Sequence, residues 1–250
     1  MGRWSRLLAI EFLRWLAIPR GLKWLDVCCG SGVVTQTIAE QSCPASIVGV
    51  DLSSPQIDYA RCHRSRSNTM FEVGDATALP FKGGEFDVAV CGLGLNFIPD
   101  PVRALKEIKR VLRPGGTVAV YVWDYAEGAR FLREFWDAAA AIDPKAAELD
   151  QARRFTICNK SGLRDVFAQA GFASADSNTV EIITRFADFE DYWSPLLTGQ
   201  GSAPAYLATR SDTTKTAIRE LVRQKLPANS EGAIVLPARA WAVRARRGIV

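Results

Sequence analysis

The sequence predicts an α/β protein in which buried, mostly parallel strands alternate with helices. The apolar run Trp24–Val27 ends in a turn of small residues, after which apolar residues recur at helical spacing from Val33 to Ala39. Four further strand-like runs follow before residue 124. Apolar residues make up 48% of the 250 residues, which is enough for the core of one large domain.

The turn after the first strand contains Gly30 and Gly32. Glycine at these positions leaves space for a ligand to lie against bare backbone. No Lys or Arg occurs between Lys23 and Arg61, so the turn lacks the lysine of a triphosphate-binding loop. Val33 stands where a dinucleotide-binding loop would have its third glycine, which disfavours nicotinamide and flavin cofactors without excluding them.

Acidic and small residues follow the next strands of this half. The strands are predicted at 46–51, 70–73, 86–91 and 117–123, with a helix at about 101–112. Asp51 ends the second strand, where a carboxylate can accept two hydrogen bonds from the hydroxyls of a ribose. The third strand is followed by Asp75, and the fourth runs into a Gly-Leu-Gly-Leu-Asn turn that begins at Gly92.

Five segments between about residues 20 and 123 carry a family resemblance in their order and spacing. They are Asp26-Val-Cys-Cys-Gly-Ser-Gly32, Val50-Asp-Leu-Ser53, Gly74-Asp-Ala-Thr-Ala-Leu-Pro-Phe81, Phe86-Asp-Val88 and Arg110-Val-Leu-Arg-Pro-Gly-Gly116. The chain resembles the class I S-adenosylmethionine-dependent methyltransferases, especially the small-molecule group that includes ubiquinone and menaquinone methyltransferases. The resemblance implies a Rossmann-like sheet of seven strands, six parallel and the last antiparallel, with helices on both faces.

The resemblance also implies S-adenosylmethionine as cofactor and a set of residues that hold it. Asp26, Gly30 and Gly32 are expected beside its methionine part, Asp51 on the ribose, Leu52 over one adenine face, Asp75 and Ala76 on the adenine edge, and Gly92 and Asn96 on the methyl side. Cys28 departs from the family pattern, which usually has glycine there. If this position requires a positive φ, cysteine would cost about 1–2 kcal/mol.

The N-terminal stretch, Met1 to Ala17, is predicted to be an amphipathic helix. Glu11 and Arg14 interrupt its apolar run, which argues against a signal peptide. In the family this segment often covers the cofactor, which would let Arg3 or Arg6 pair with the methionine carboxylate. The plainer interpretation is surface charge on a packed helix.

The rest of the chain supplies two insertions and the last two strands. In order, we predict a helix at 127–143, a helix at 161–170, strand six at 177–186, an aromatic segment at 189–197, a loop at 199–204, a helix at 213–225 and strand seven at 233–244. We interpret segments 1–19, 125–160 and 187–232 as a helical lid. The domain is therefore a single one, 1–250, with its cofactor half at about 20–123.

Composition and cysteine spacing limit the kinds of partner and metal site that the sequence predicts. The chain has 31 basic and 27 acidic residues without a concentrated basic face, and Arg244, Arg246 and Arg247 at its end are interpreted as solvated charge, so no nucleic-acid partner is expected. Six cysteines without metal spacing indicate a reduced, cytoplasmic protein with no metal. No apolar stretch is as long as a membrane span, and a homodimer is left open.

The predicted reaction is methyl transfer to a small, apolar or aromatic acceptor by in-line displacement. Trp123 and Tyr125 are predicted to contact the substrate, with packing of the lid as the alternative. The single histidine, His63, is expected on a surface helix, so the catalytic residues stay open; Asn96, Tyr121, Asp124 and Tyr125 are candidates for a base by position. Three alternatives are a nicotinamide oxidoreductase, an RNA or protein methyltransferase, and a non-catalytic protein that binds S-adenosylmethionine.

Overall fold

A computed structural model describes residues 2–64, 66–198 and 201–249. The strands are β1 (Lys23–Val27), β2 (Ser46–Asp51), β3 (Thr69–Val73), β4 (Phe86–Gly92), β5 (Leu112–Trp123), β6 (Ala175–Phe186) and β7 (Ile234–Arg246). The α-helices are α1 (Gly2–Leu16), α2 (Val33–Gln41), α3 (Ser54–Arg64), α4 (Pro101–Val111), α5 (Arg130–Ile142), α6 (Gln151–Arg154), α7 (Lys160–Gln169), α8 (Phe189–Thr198), α9 (Ser202–Ala208) and α10 (Asp212–Lys225). Outside the described residues lie Met1, Ser65, Gly199, Gln200 and Val250.

The strands form one sheet in the order β3-β2-β1-β4-β5-β7-β6. Strand β1 pairs in parallel with β2 and β4, β2 pairs with β3, and β4 pairs with β5. The last strand is antiparallel, and just beyond it the Arg247 amide donates to Gly116 while the Gly115 amide donates to Arg247. The predicted seven-stranded α/β fold is confirmed. Its strand order reverses between β1 and β4, and open α/β sheets bind ligands at such a reversal.

Local sequence explains the elements beside this reversal. In β1, the residues from Trp24 to Val27 are all buried, as expected for a central parallel strand. Helix α4 begins after Asp100, whose carboxylate accepts a hydrogen bond from the Arg103 amide at 2.9 Å, and Pro101 occupies its first position. One face of α4 is buried against the core. These two elements therefore hold the loops at the carboxyl edge of the sheet in place.

Two predicted boundaries were wrong. Strand β5 begins at Leu112 instead of residue 117, because the Arg-Pro-Gly-Gly run forms a bulge between the pairs Phe86–Leu112 and Val88–Thr117. The predicted loop at 199–204 ends earlier, since α9 begins at Ser202. Pro204 is compatible with this start because a proline in the first helical turn removes no hydrogen bond within the helix.

The chain divides into two compact units. The first unit comprises Gly2–Val122, Ile157–Val180 and residues 241–249, and the second comprises Trp123–Thr156 and Glu181–Ala240. Most of the two predicted lid insertions falls in the second unit, whereas the N-terminal segment, which we had included in the lid, lies in the first unit as α1. The single-domain organisation stays a prediction. None of the helices in the described ranges has the length and apolar character of a membrane span.

Several charged residues of the first unit are engaged within it. Arg6 pairs with Glu40 at 3.0 Å, so the structure does not leave it free for a ligand carboxylate. The terminal arginines were interpreted as solvated charge, but Arg244 pairs with Asp176 at 3.0 Å. Arg247 donates to main-chain carbonyls at the end of α4. These two side chains therefore fix the end of the chain on the sheet and do not form a free basic patch.

The core of the second unit is aromatic. The Phe135 ring contacts the rings of Trp136, Trp193 and Tyr206 at centroid distances of 5.1–6.4 Å. The Trp136 indole donates to Gln151 at 2.6 Å, which satisfies its buried N–H group. The aromatic residues that the sequence places in the two insertions thus pack with one another inside this unit.

Candidate cofactor site

A cavity of about 510 Å³ lies in the first unit, at the carboxyl edge of the sheet. Its walls come from the ends of β1 and β2 and from the loops that follow β3 and β4. Four of the predicted cofactor residues line it together: Asp51, Leu52, Asp75 and Ala76. Its volume lies within the range of about 300–1,000 Å³ that is usual for small-molecule sites.

Asp51 is held by the glycine loop and by its own turn. Its Oδ2 accepts a hydrogen bond from the Gly30 amide at 2.8 Å, and its Oδ1 accepts one from the Ser53 amide at 2.9 Å. Each carboxylate oxygen can accept a second hydrogen bond. The half-buried carboxylate is therefore oriented by the protein and keeps acceptor capacity for the two hydroxyls of a ribose.

Asp75 lies on the exposed side of the same cavity. Its Oδ1 accepts hydrogen bonds from the Thr77 amide at 2.8 Å and from the Thr77 hydroxyl at 2.9 Å. These two hydrogen bonds lower the pKa of the Asp75 carboxyl. Asp75 is thus a hydrogen-bond acceptor at neutral pH, which suits an adenine amino group.

Two large apolar side chains remain exposed at the cavity. Leu52 is 73% exposed and Phe97 is 63% exposed, and both line the cavity. Exposed apolar groups of this size beside acceptor groups are typical of a site for a flat, partly apolar ligand. Sequence reasoning missed Phe97, because only the short 3-10 turn Leu95–Phe97, which buries Leu95 and Asn96, shows that the ring is left outside.

The cavity is acidic. Asp51, Asp75 and Asp100 line it, and no Lys or Arg lines it among the described residues. Phosphate groups are normally bound by cations or by converging backbone amides, so this lining disfavours a phosphate-bearing ligand. The acidic lining suits a nucleoside ligand that carries a positive charge.

Asp26 lies below the glycine loop and is fully buried. Its Oδ2 accepts a hydrogen bond from the Thr35 hydroxyl at 2.6 Å, whereas Oδ1 has no partner among the described residues. Burial raises the pKa of the Asp26 carboxyl to about 7. A buried acceptor without a partner destabilises the protein, and a ligand donor that reached it would remove that cost.

Backbone conformation and packing give the loop glycines a role within the protein, and their expected roles beside the cofactor stay predictions. Gly30 has a φ of 53° and Gly32 a φ of 79°, a region that other residues rarely adopt. A Cβ on Gly32 would lie 2.9 Å from the Phe71 ring, so the space it would fill belongs to the protein and not to a ligand. At Gly92 a Cβ would lie 2.7 Å from the Tyr121 hydroxyl. Backbone conformation and packing therefore explain these glycines.

Cys28 has a φ of 57°, so the condition under which cysteine would be strained at this departure from the family pattern is met. We expect Cys28→Gly to be more stable than Cys28→Ala by about 1 kcal/mol, because only glycine adopts this conformation without strain. Urea unfolding of the two variants measures the difference. Cys62 lies within α3, where Cys62→Gly should instead be less stable than Cys62→Ala by about 1 kcal/mol. Equal stability of the two Cys28 variants would contradict strain at this position.

The candidate bases differ in their surroundings. The Asn96 side chain and the Tyr121 hydroxyl are buried, and neither has a hydrogen-bond partner among the described residues. Burial raises the pKa of Tyr121, so its hydroxyl is a donor and a poor base. His63 is exposed on α3 and stacks on Tyr59, as expected for a surface residue.

In the second unit, both carboxylate oxygens of Asp124 accept hydrogen bonds from the protein. Its Oδ2 accepts a hydrogen bond from Arg239 Nε at 2.9 Å, and its Oδ1 accepts one from the Glu127 amide. The predicted substrate residues are also packed in this unit, with the Trp123 ring against Phe131 and the Tyr125 ring against Phe155. Asp124 is therefore not available as a base, and the roles of Trp123 and Tyr125 stay predictions.

Replacing Asp124 by alanine is expected to lower the free energy of unfolding by about 2–3 kcal/mol, because it removes the buried carboxylate that binds the Arg239 guanidinium and the Glu127 amide. Chemical denaturation measures this loss. Asp58→Ala removes an exposed carboxylate and should change stability by less than about 0.5 kcal/mol. A comparable effect of both substitutions would show that the buried pair contributes nothing specific.

Comparison with known proteins agrees with this geometry. A family of methyltransferase domains matches residues 25–120. Demethylmenaquinone methyltransferase of Staphylococcus aureus strain JH9 is 32% identical over an alignment of 169 residues, with coverage of 63% of this chain and 70% of that protein. This chain belongs to the class I S-adenosylmethionine-dependent methyltransferases. The methyltransferase has the same fold as a Bacillus halodurans C-125 protein assigned to this activity, with a TM-score of 0.62, 18% identity and coverage of 96% and 98% of the two chains.

A second structural neighbour of the methyltransferase has been solved with its cofactor. Phosphoethanolamine N-methyltransferase 2 of Haemonchus contortus, in complex with S-adenosylmethionine, has a TM-score of 0.59 and 17% identity, and the alignment covers 97% of this chain and 52% of that one. Likenesses at this identity support the fold alone. The family assignment makes S-adenosylmethionine the cofactor of the methyltransferase.

The residues present fit this cofactor. An acidic cavity with two exposed apolar side chains suits an adenosine that carries a positive charge nearby. When bound, S-adenosylmethionine supplies a methyl group that is activated by its sulfonium. Within that site, Asp51 would hold the ribose and Asp75 the adenine edge, while Asp26 would supply the acceptor beneath the glycine loop. These individual roles stay predictions.

Proposed function

We propose that the methyltransferase acts on a small, apolar or aromatic organic acceptor by in-line displacement. The observation that carries the proposal is the 32% identity with a demethylmenaquinone methyltransferase, whose name gives a quinone as its acceptor. The likeness extends beyond the cofactor segments, since it spans 169 residues.

The chain's own groups favour an acceptor that loses its proton easily. Asp124 is paired with Arg239, and His63 lies exposed on α3. Tyr121 and Asn96 offer a hydroxyl and an amide, which orient an oxygen by hydrogen bonds but do not remove a proton at neutral pH. We therefore expect phenols, quinols or enols as acceptors, and we expect alignment and exclusion of water to supply most of the rate acceleration.

The first experiment is calorimetric titration of S-adenosylhomocysteine into the purified protein, with NAD as the control ligand. Saturable binding of S-adenosylhomocysteine and none of NAD is expected. The protein is then incubated with S-adenosylmethionine and a panel of phenols, quinols and enols, and the released S-adenosylhomocysteine is quantified. Turnover with members of this panel, and none with RNA or protein, supports the proposal.

Two results would overturn it. Turnover with RNA or protein, at salt concentrations where these bind, would make the enzyme a macromolecular methyltransferase. Binding of the cofactor without turnover on any acceptor class would favour a non-catalytic binding protein. The cytoplasmic location and the homodimer stay predictions, and light scattering of the purified protein would test the second.

A further inference from the structure

Two cysteine thiols meet at the wall of the cofactor cavity. Cys28 follows β1, is half-buried and lines the cavity, whereas Cys91 is buried near the end of β4. The two strands are parallel neighbours, with Asp26 opposite Val90, so the two cysteines come close to each other across the strand pair.

Gly94 locates the two sulfurs more closely. A Cβ built on Gly94 would lie 3.2 Å from the Cys91 sulfur and 3.3 Å from the Cys28 sulfur. A single point beside the Gly94 backbone is thus in van der Waals contact with both sulfurs. The two sulfurs therefore lie no more than 6.5 Å apart. Forming a disulfide, with a bond length of about 2.05 Å, requires side-chain rotation and a shift of the Cys28 loop.

We propose that Cys28 is a site of oxidation by peroxides, and that it forms a reversible disulfide with Cys91 in the wall of the cofactor cavity. Cys28 is the thiol that an oxidant reaches first, since it is open to the cavity and Cys91 is buried. The neighbouring Cys28 side chain and burial raise the pKa of Cys91, which keeps Cys91 a thiol and makes Cys28 the first site of oxidation.

The chemistry balances in two steps. Hydrogen peroxide transfers one oxygen to the Cys28 sulfur, which gives a sulfenic acid and one water. The Cys91 sulfur then attacks the Cys28 sulfur, the S–S bond forms, and the sulfenic oxygen leaves as a second water with the thiol proton. The two thiols lose two electrons and two protons in all, and peroxide receives them. A dithiol reductant reverses the change by exchange.

The consequence for the cofactor rests on the proposed site. Cys28 and Gly94 both line the cavity. A Cβ on Gly94 would lie only 2.4 Å from the Cys28 Cβ, so the cavity wall is closely packed there. Drawing the sulfurs together therefore changes the shape of the cavity. A bound cofactor, in turn, shields Cys28 from the oxidant. Oxidation and cofactor binding are expected to exclude each other.

The test begins with the reduced wild-type protein, treated with hydrogen peroxide and then digested for mass spectrometry. A peptide pair joined through Cys28 and Cys91, two hydrogens lighter than the separate peptides, is expected, and dithiothreitol should release it. Cys28→Ser and Cys91→Ala should each abolish the link. Cys62→Ser, which changes an exposed cysteine on α3, should leave it intact.

The second measurement is the rate of linkage with and without saturating S-adenosylhomocysteine. We expect bound S-adenosylhomocysteine to slow formation of the disulfide at least 10-fold. We also expect the oxidised protein to bind S-adenosylhomocysteine at least 10-fold more weakly than the protein after reduction. Oxidation of Cys28 to sulfinic acid with no link to Cys91 would overturn the proposal, whereas cofactor binding would still support the proposed function. If the disulfide forms equally fast with S-adenosylhomocysteine bound, the disulfide proposal is supported, but this cavity is not the cofactor site.

Discussion

Asp51→Ala is expected to weaken S-adenosylhomocysteine binding at least about 100-fold, or about 2.7 kcal/mol. In its proposed role the Asp51 carboxylate accepts hydrogen bonds from two ribose hydroxyls, and a hydrogen bond to a charged group contributes about 1.5–3 kcal/mol. The substitution also removes the acceptor of the Gly30 and Ser53 amides, so the loop loses its anchor. Calorimetric titration of the wild type and the variant measures the loss directly.

The matched control for this experiment is Asp58→Ala, which removes a carboxylate seven residues later on the exposed face of α3. Its affinity for S-adenosylhomocysteine should match that of the wild type. Asp51→Asn keeps one carbonyl oxygen without the charge, so its affinity for S-adenosylhomocysteine should lie between that of Asp51→Ala and that of the wild type. A loss of less than about 3-fold in a folded Asp51→Ala protein would mean that the ligand does not bind where the cavity lies.

The second large effect concerns Asp26 and pH. With a pKa of about 7 in the folded protein and 3.8 as its ordinary value, Asp26 keeps a proton between pH 4 and 7 that the unfolded chain has lost. The free energy of unfolding therefore falls as pH rises through this window, and the full cost is present above pH 7. That cost is at most about 4 kcal/mol, at about 1.36 kcal/mol per pKa unit.

Asp26→Asn removes the titration while it keeps an oxygen that can accept from Thr35. The variant should be close to the wild type in stability at pH 4 and more stable by up to about 4 kcal/mol at pH 8. Urea unfolding at pH 4, 5.5, 7 and 8 measures both curves, and Asp58→Asn supplies the control for loss of an exposed carboxylate. Parallel curves for wild type and Asp26→Asn would refute the raised pKa.

If Asp26 also faces a cationic group of the cofactor, its proton leaves on binding. At pH 6, titration of S-adenosylhomocysteine in buffers with different ionisation enthalpies should then report release of a proton, and Asp26→Asn should not. Affinity for the ligand should accordingly rise with pH between 6 and 8.

The sequence predicted those parts of the molecule that local pattern determines. The strand tips at Asp51 and Asp75 follow apolar runs of strand length, so their meeting at one edge of the sheet follows from parallel pairing. The Arg-Pro-Gly-Gly bulge was missed, because it depends on hydrogen bonds with Arg247, more than 130 residues away. The exposed ring of Phe97 was missed for the same kind of reason, since a pattern gives apolar character but not exposure.

Asp124 illustrates why the candidate bases were not separable by sequence. Its position after β5 suggested a base, but its carboxylate is bound by Arg239, 115 residues later in the chain. Gly32 is a similar case, because its φ of 79° and the Phe71 ring, 2.9 Å from where a Cβ would lie, require glycine there without any ligand. Contacts between distant parts of the chain decide such roles.

The acidic lining of the cavity has a consequence for turnover. Asp51, Asp75 and Asp100 line the cavity. In the proposed site they would face a donor that arrives with a positive sulfonium and leaves, after methyl transfer, as a neutral thioether. The electrostatic attraction of the lining therefore weakens at the moment the reaction is complete, which promotes exchange of spent product for fresh donor. Added salt screens this attraction for the positive donor, so inhibition by the neutral product should become stronger as the salt concentration rises.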